Sequence, residues 1–131
     1  MMGAQGEVIA ALISAIGADA AALEVLGDPV RVWDQVPLGA VFPYLQIGGC
    51  ESRLLRGDAG AAEHLVVLNC VSRFAGAEEA RAVAGVVEGA LAGVALSGLV
   101  SCEVRGVEVR RTVDQARAFA VMRLRVVVSL D

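Results

Sequence analysis

From Glu7 to about Leu26, apolar residues recur at spacings of three and four: Val8, Leu12, Ile16, Ala20 and Leu23 form one stripe, with Ile9 and Ile13 beside it. That is the period of an amphipathic helix. Gly27, Asp28 and Pro29 should end it, because glycine accepts the backbone of a helix terminus and proline cannot continue the helix. A short strand is expected over Val30–Trp33, then a turn set by Pro37 and Gly39. Val41–Gly48 reads as a second strand, which Pro43 confines to a sheet edge or delays to Tyr44. Arg53–Glu63 shows no period, and Arg56-Gly57-Asp58-Ala59-Gly60 has turn chemistry, so this segment reads as an exposed, mobile loop. His64–Val71 is apolar at both parities, which predicts a central strand covered on both faces.

A helix is expected from Ala77 to Leu91, with Ala80, Val83, Ala84, Val87 and Leu91 inward and Glu78, Arg81 and Glu88 facing water. Gly85 and Gly89 lie one turn apart in it, each costing about 1 kcal/mol against alanine. Close packing would offset that cost, against the chain's own sheet in the first instance and a neighbouring subunit in the second. Over Leu99–Arg111 the alternation slips: Val100, Cys102 and Val104 hold one parity and Val107 and Val109 the other. A one-residue bulge at Gly106 would return both sets to one face. In the last strand Ala118, Ala120, Met122, Leu124, Val126 and Val128 share one parity, and Arg117, Arg123 and Arg125 the other. Residues 112–116 form the connecting turn. The expected fold is α+β, one domain over residues 1–131, with a mainly antiparallel sheet of about five strands and two helices packed on it in the order α-β-β-β-α-β-β.

Composition narrows the chemistry. At 131 residues, 56% of them hydrophobic, the chain can build one core and is too apolar for disorder along its length. All 11 basic residues are arginine, which excludes a lysine Schiff base and a P-loop lysine. One histidine cannot make a multi-histidine metal site. A net charge of −4 argues against wrapping nucleic acid. The three cysteines, Cys50, Cys70 and Cys102, have no metal-ligand spacing and read as reduced thiols. No export signal is read at the N-terminus, and no apolar run is long enough for a membrane span.

Catalytic readings are weak. His64 beside Glu63 suggests a carboxylate-histidine base, but adjacent strand residues point to opposite faces. Cys70 or Cys50 as a nucleophile with His64 would need convergence that spacing cannot supply, and Glu51, Asp58 and Glu63 read as solvated loop carboxylates. No catalytic, cofactor or metal residue is assigned. The arginines are more informative: Arg105, Arg110, Arg111, Arg117, Arg123 and Arg125 concentrate on the last hairpin beside Glu103, Glu108 and Asp114. They form either a solvated face or a protein interface, where the guanidinium fork pairs with carboxylates. Arg53, Arg56 and Asp58 are the interface candidates in the loop. If that loop serves only partners, charge reversal at Arg53 or Arg56 should leave the melting temperature of the isolated subunit unchanged.

The string from Val32 to Gly48, with V-P-x-G-A-x-F-P-Y at its heart, resembles the signature of a family of tailed-phage and prophage tail-completion proteins. Glu63-His64-Leu65, Val71-Ser72-Arg73, Gly76-Ala77-Glu78-Glu79-Ala80 and Arg123-Leu124-Arg125 follow in matching order, so the resemblance covers roughly residues 5 to 128. It implies a tail-terminator-like fold without an active site. It further implies a ring, usually hexameric, on the head-proximal end of the tail tube, which stops tube polymerisation and joins tail to head. The implied partners are copies of itself, the major tail tube protein and a head-tail connector or stopper protein, with DNA passing through the ring without sequence-specific binding and no membrane involved. The implied location is the bacterial cytoplasm during assembly, then the tail or neck of the particle. Many relatives carry tryptophan where this chain has Cys70-Val71. Lysine-free, Ala-, Gly- and Val-rich usage suits a GC-rich bacterial genome and a gene transfer agent or domesticated prophage. The alternatives are a head-side connector or minor tail protein, or a small ligand-binding or enzymatic α+β domain.

Overall fold

The computed structural model describes residues 3–56 and 60–130. It has the α+β class expected, with three helices and five strands: α1 (Ala4–Gly17), α2 (Ala20–Leu26), β1 (Val32–Trp33), β2 (Tyr44–Leu55), β3 (Ala61–Val71), α3 (Glu78–Leu91), β4 (Leu99–Arg111) and β5 (Ala118–Ser129). The sheet order is β1-β2-β3-β5-β4, antiparallel throughout except for the two-residue β1, which runs parallel to β2.

The single helix expected over Glu7–Leu26 is two helices, bent by 90° at Ala18-Asp19. The apolar period continues across the break, so the stripe conceals it. Asp19 makes it: with extended backbone it caps α2, its carboxylate accepting from the Ala22 amide at 3.0 Å. The bend lets Val8, Leu12 and Ile16 of α1 and Ala22 and Leu26 of α2 all enter one core. Asp19→Ala should therefore cost about 1 kcal/mol of stability, read as a lower urea midpoint with an unchanged slope. Gly27 ends α2 at φ 87° and ψ 174°, a region only glycine occupies comfortably, where an added Cβ would collide with the Arg31 guanidinium.

The core joins the three helices to one face of the sheet: Leu45 and Ile47 of β2, Val66, Leu68 and Cys70 of β3, and Ala118, Ala120, Met122, Leu124 and Val126 of β5. α3 contributes the inward stripe read from its period, all five residues buried. The bulge anticipated near Gly106 is present, as a register shift between Val104 and Gly106 that keeps Cys102, Val104, Val107 and Val109 opposite inward residues of β5.

Four further expectations fail. Val100 is not core: a second shift between Leu99 and Ser101 turns it outward, 63% exposed. β3 is central but not covered on both faces, since Leu65 on its other face is exposed. Its apolar residues at both parities reflect a half-covered strand. Gly85 and Gly89 are both exposed, and a Cβ at either would meet no atom of another element within 4 Å among the described residues. Most of the supposed loop Arg53–Glu63 is ladder, with Arg53 opposite Glu63, Leu54 opposite Ala62 and Leu55 opposite Ala61. Polar alternation on an open sheet face resembles a loop in sequence, because no apolar period marks it.

Candidate functional site

The sheet face turned away from the helices carries most of the arginines singled out above. Period two brings Arg53 and Glu51 of β2, Glu63 and Leu65 of β3, Arg123 and Arg125 of β5, and Glu103, Glu108 and Arg110 of β4 to this face. Cross-strand register then sets opposite charges side by side. Arg53 Nε donates to Glu63 Oε1 at 2.7 Å, and Arg125 Nε donates to the other oxygen of the same carboxylate. Arg125 also reaches Glu103 at 3.7 Å, and Glu103 meets Arg105 at 3.4 Å. A row Arg53-Glu63-Arg125-Glu103-Arg105 thus crosses all four long strands. Beside it Glu108 accepts from Arg110 at 3.0 Å and Arg123 at 3.4 Å. An open groove of about 810 Å³ runs along this face, with Leu65 and Val67 on its lining and charged side chains around them.

Glu63 is 4% exposed and ion-paired on both oxygens, the anchor of the row. The hydrogen bond from Arg125 holds its carboxyl below the usual carboxylate range, against the opposing effect of burial. In the sequence Glu63 reads as a solvated loop acid; only the pairing of β3 with β2 on one side and β5 on the other reveals its role. The remaining candidates disperse. Arg117 stacks over the Phe42 ring at 4.5 Å from its centroid, and Arg111 donates to the Ala75 carbonyl at 3.1 Å. Arg56 is exposed at the end of the β2–β3 hairpin, and Asp58 lies outside the described residues.

His64 points the other way, 2% exposed, with Nδ1 2.7 Å from the Ser52 hydroxyl. Gln5 donates to that same hydroxyl at 2.8 Å. Burial pushes the imidazole pKa down, favouring the neutral ring. Glu63 and His64 therefore do not meet, as their adjacency on a strand requires. Burial drives Cys70 up to about 12, which removes it as a nucleophile, and its thiol rests 3.5 Å from the Met122 sulfur. No group of three or more His, Cys, Asp or Glu able to hold a metal lies together among the described residues.

The distinctive sequence strings do structural work at one end of the sheet. Trp33, Phe42 and Tyr44 form an aromatic cluster with centroids 5.6 and 5.1 Å apart, and Arg31 ties the Pro43 carbonyl at 2.9 Å. The fully buried Ser72 donates to Glu79 at 3.0 Å, while Arg73 binds the same carboxylate through Nε and a terminal nitrogen at 3.1 and 2.9 Å. Val71-Ser72-Arg73 and the Glu78-Glu79 helix start are thus one interlocked unit, a strand end clamped to a helix start.

Among curated proteins none matches the chain. Among solved structures, one from the virion of a native gene transfer agent particle superposes with a TM-score of 0.83 at 24% identity, covering 98% of this chain and 99% of that one, a likeness of fold. The residues that build the aromatic cluster, the Ser72-Arg73-Glu79 clamp and the charged face all fall within residues 10–129, which match the profile of tail completion protein gp17, and by that extent the chain belongs to the tail completion protein gp17 family.

Proposed function

We propose that this protein is a tail terminator: a ring, hexameric in our reading, that sits on the head-proximal end of the tail tube, stops its polymerisation and provides the surface to which the head's neck docks. The observation that carries the reading is membership of the tail completion family over residues 10–129, in a chain whose helix-free sheet face bears an ordered row of charges. Rings of identical subunits close through heterologous contacts, so each subunit needs two different complementary surfaces. The charged face and the β2–β3 hairpin with Arg53 and Arg56 supply candidates, and the whole chain acts as one domain. Its partners are further copies, the tube protein and a connector or stopper protein, met in the bacterial cytoplasm. The role is structural, without turnover of a substrate.

Six copies of 13.5 kDa make about 81 kDa, the mass light scattering should report for the assembled ring. Particles made without the protein should carry tails of uncontrolled length that fail to join heads, as measured by electron microscopy. Tails of normal length lacking only heads would instead place the protein on the head side, as a connector.

A further inference from the structure

The sheet ends in two open edges. Among the described residues β1 covers β2 only at Leu45 and Gln46, which leaves Gly49–Leu55 without a neighbouring strand on its outer side, and β4 has β5 on one side alone. Edge strands offer unpaired amides and carbonyls to a further strand. Both edges carry exposed apolar side chains, Leu54 at 74% on β2 and Val107 at 44% on β4, both on the helix-side parity.

We propose that β4 of one copy pairs antiparallel with β2 of the next, in a register that sets Arg110 opposite Glu51, Glu108 opposite Arg53 and Val107 opposite Leu54. The proposal rests on the ring reading above and names the contact that closes the ring.

Strand polarity comes first. β2 and β5 run one way, β3 and β4 the other. Copies related by rotation about an axis along the strands keep their direction, so the β4 edge meets a β2 edge of opposite sense, as an antiparallel ladder requires.

Backbone phase comes second. The Thr112 amide donates to the Arg117 carbonyl at 2.8 Å, so Arg110 and Glu108 face β5 with their backbone groups, while Arg111, Val109 and Val107 turn theirs to the open edge. On β2 the Cys50 carbonyl points outward, where the Gln5 side chain holds it at 3.2 Å, and alternation gives Ser52 and Leu54 the same direction. The proposed register pairs Arg111 with Cys50, Val109 with Ser52 and Val107 with Leu54, outward groups on both strands. Gln5, an exposed side chain, yields its place to a backbone amide.

Charge selects among the registers that share this phase. A slip of two residues one way puts Glu108 opposite Glu51, and a slip of two the other way puts Arg110 opposite Arg53. Both set like charges face to face, which cross-strand pairing disfavours. The proposed register alone of these three gives two opposite-charge pairs on the charged face and an apolar pair on the other. It uses the uninterrupted run Gly106–Arg111, beyond the β4 bulge, and extends the ladder from Glu108 of one copy to Arg53 and Glu63 of the next.

The test is a cross-subunit disulfide. In this register Leu54 and Val107 form a hydrogen-bonded pair with Cα atoms about 5.5 Å apart, within disulfide reach. A chain carrying Leu54→Cys and Val107→Cys, with Cys50→Ser and Cys102→Ser to remove the two partly exposed native thiols and the buried Cys70 retained, should give covalent multimers up to the full ring on mild oxidation. Neither single-cysteine chain should give any. In the otherwise native chain, Glu51→Arg or Arg110→Glu alone should raise the subunit dissociation constant about tenfold or more, and the two together should restore it. A ring of the expected mass that forms no disulfide, and whose charge reversals do not rescue one another, overturns the edge pairing and leaves the ring reading standing. A protein that is monomeric both free and in assembled particles overturns both.

Discussion

Met122→Asp is expected to leave the subunit unfolded, with the far-ultraviolet circular dichroism of a disordered chain and no cooperative urea transition. Met122 is 0% exposed, belongs to the core on the helix-covered face of β5, and touches Cys70. Truncating a buried methionine costs about 2–5 kcal/mol in lost burial and cavity. A carboxylate there also has to be desolvated or protonated without a partner, at several kcal/mol more. The sum reaches the whole stability of an ordinary domain, about 5–15 kcal/mol. Val113→Asp is the control: Val113 is 103% exposed in the β4–β5 turn and its replacement should leave the melting temperature unchanged. A cooperative transition for Met122→Asp at the native midpoint would show that β5 does not hold the register described.

Glu63 carries the second large effect. Glu63→Lys would set a third cation between Arg53 and Arg125 on a side chain that is nearly buried, and should prevent stable folding of the isolated subunit. Glu63→Gln keeps the shape and removes the charge, so the subunit should fold with a lower melting temperature at neutral pH. Arg53→Glu should also lower it by placing a second carboxylate opposite Glu63, contrary to the expectation of an unchanged melting temperature drawn from reading Arg53 as part of a loop. The pH dependence follows from the same pair. The Glu63 carboxyl titrates below its ordinary 4.5 when folded, so the unfolded chain binds the proton more tightly. The stabilisation is complete above about pH 4.5 and is lost as pH falls through the lowered folded value. His64 has the same sign in a higher window: its folded pKa lies below the ordinary 6.5, so stability begins to fall as the medium drops under about pH 6.5. Urea midpoints measured from pH 7 to 3 should decline in two stages in the native chain. Glu79, Glu108 and Asp114 are also held below their ordinary values and share the lower stage, so Glu63→Gln should shrink that stage without abolishing it, and a lower stage of undiminished size would remove Glu63 as a contributor.

By itself the sequence determined the α+β class, the inward stripes of α3 and β5, the bulge before Gly106 and the resemblance to tail-completion proteins. Each of these is local: a period of 3.6 or 2, a parity slip or a contiguous string is written in neighbouring residues. Tertiary structure decided the rest. Whether the apolar stripe from Val8 to Leu23 belongs to one helix or two turned on whether the Asp19 side chain caps or merely faces water, and the stripe reads alike in both cases. Whether β3 was covered on one face or two depended on where all the helices went, and they went to one side. Glu63 reads as a loop acid in the sequence because its partners Arg53 and Arg125 lie 10 and 62 residues away in the chain. The charged row exists only once β2, β3, β5 and β4 are in register, since cross-strand neighbours are set by sheet order, which no local pattern encodes.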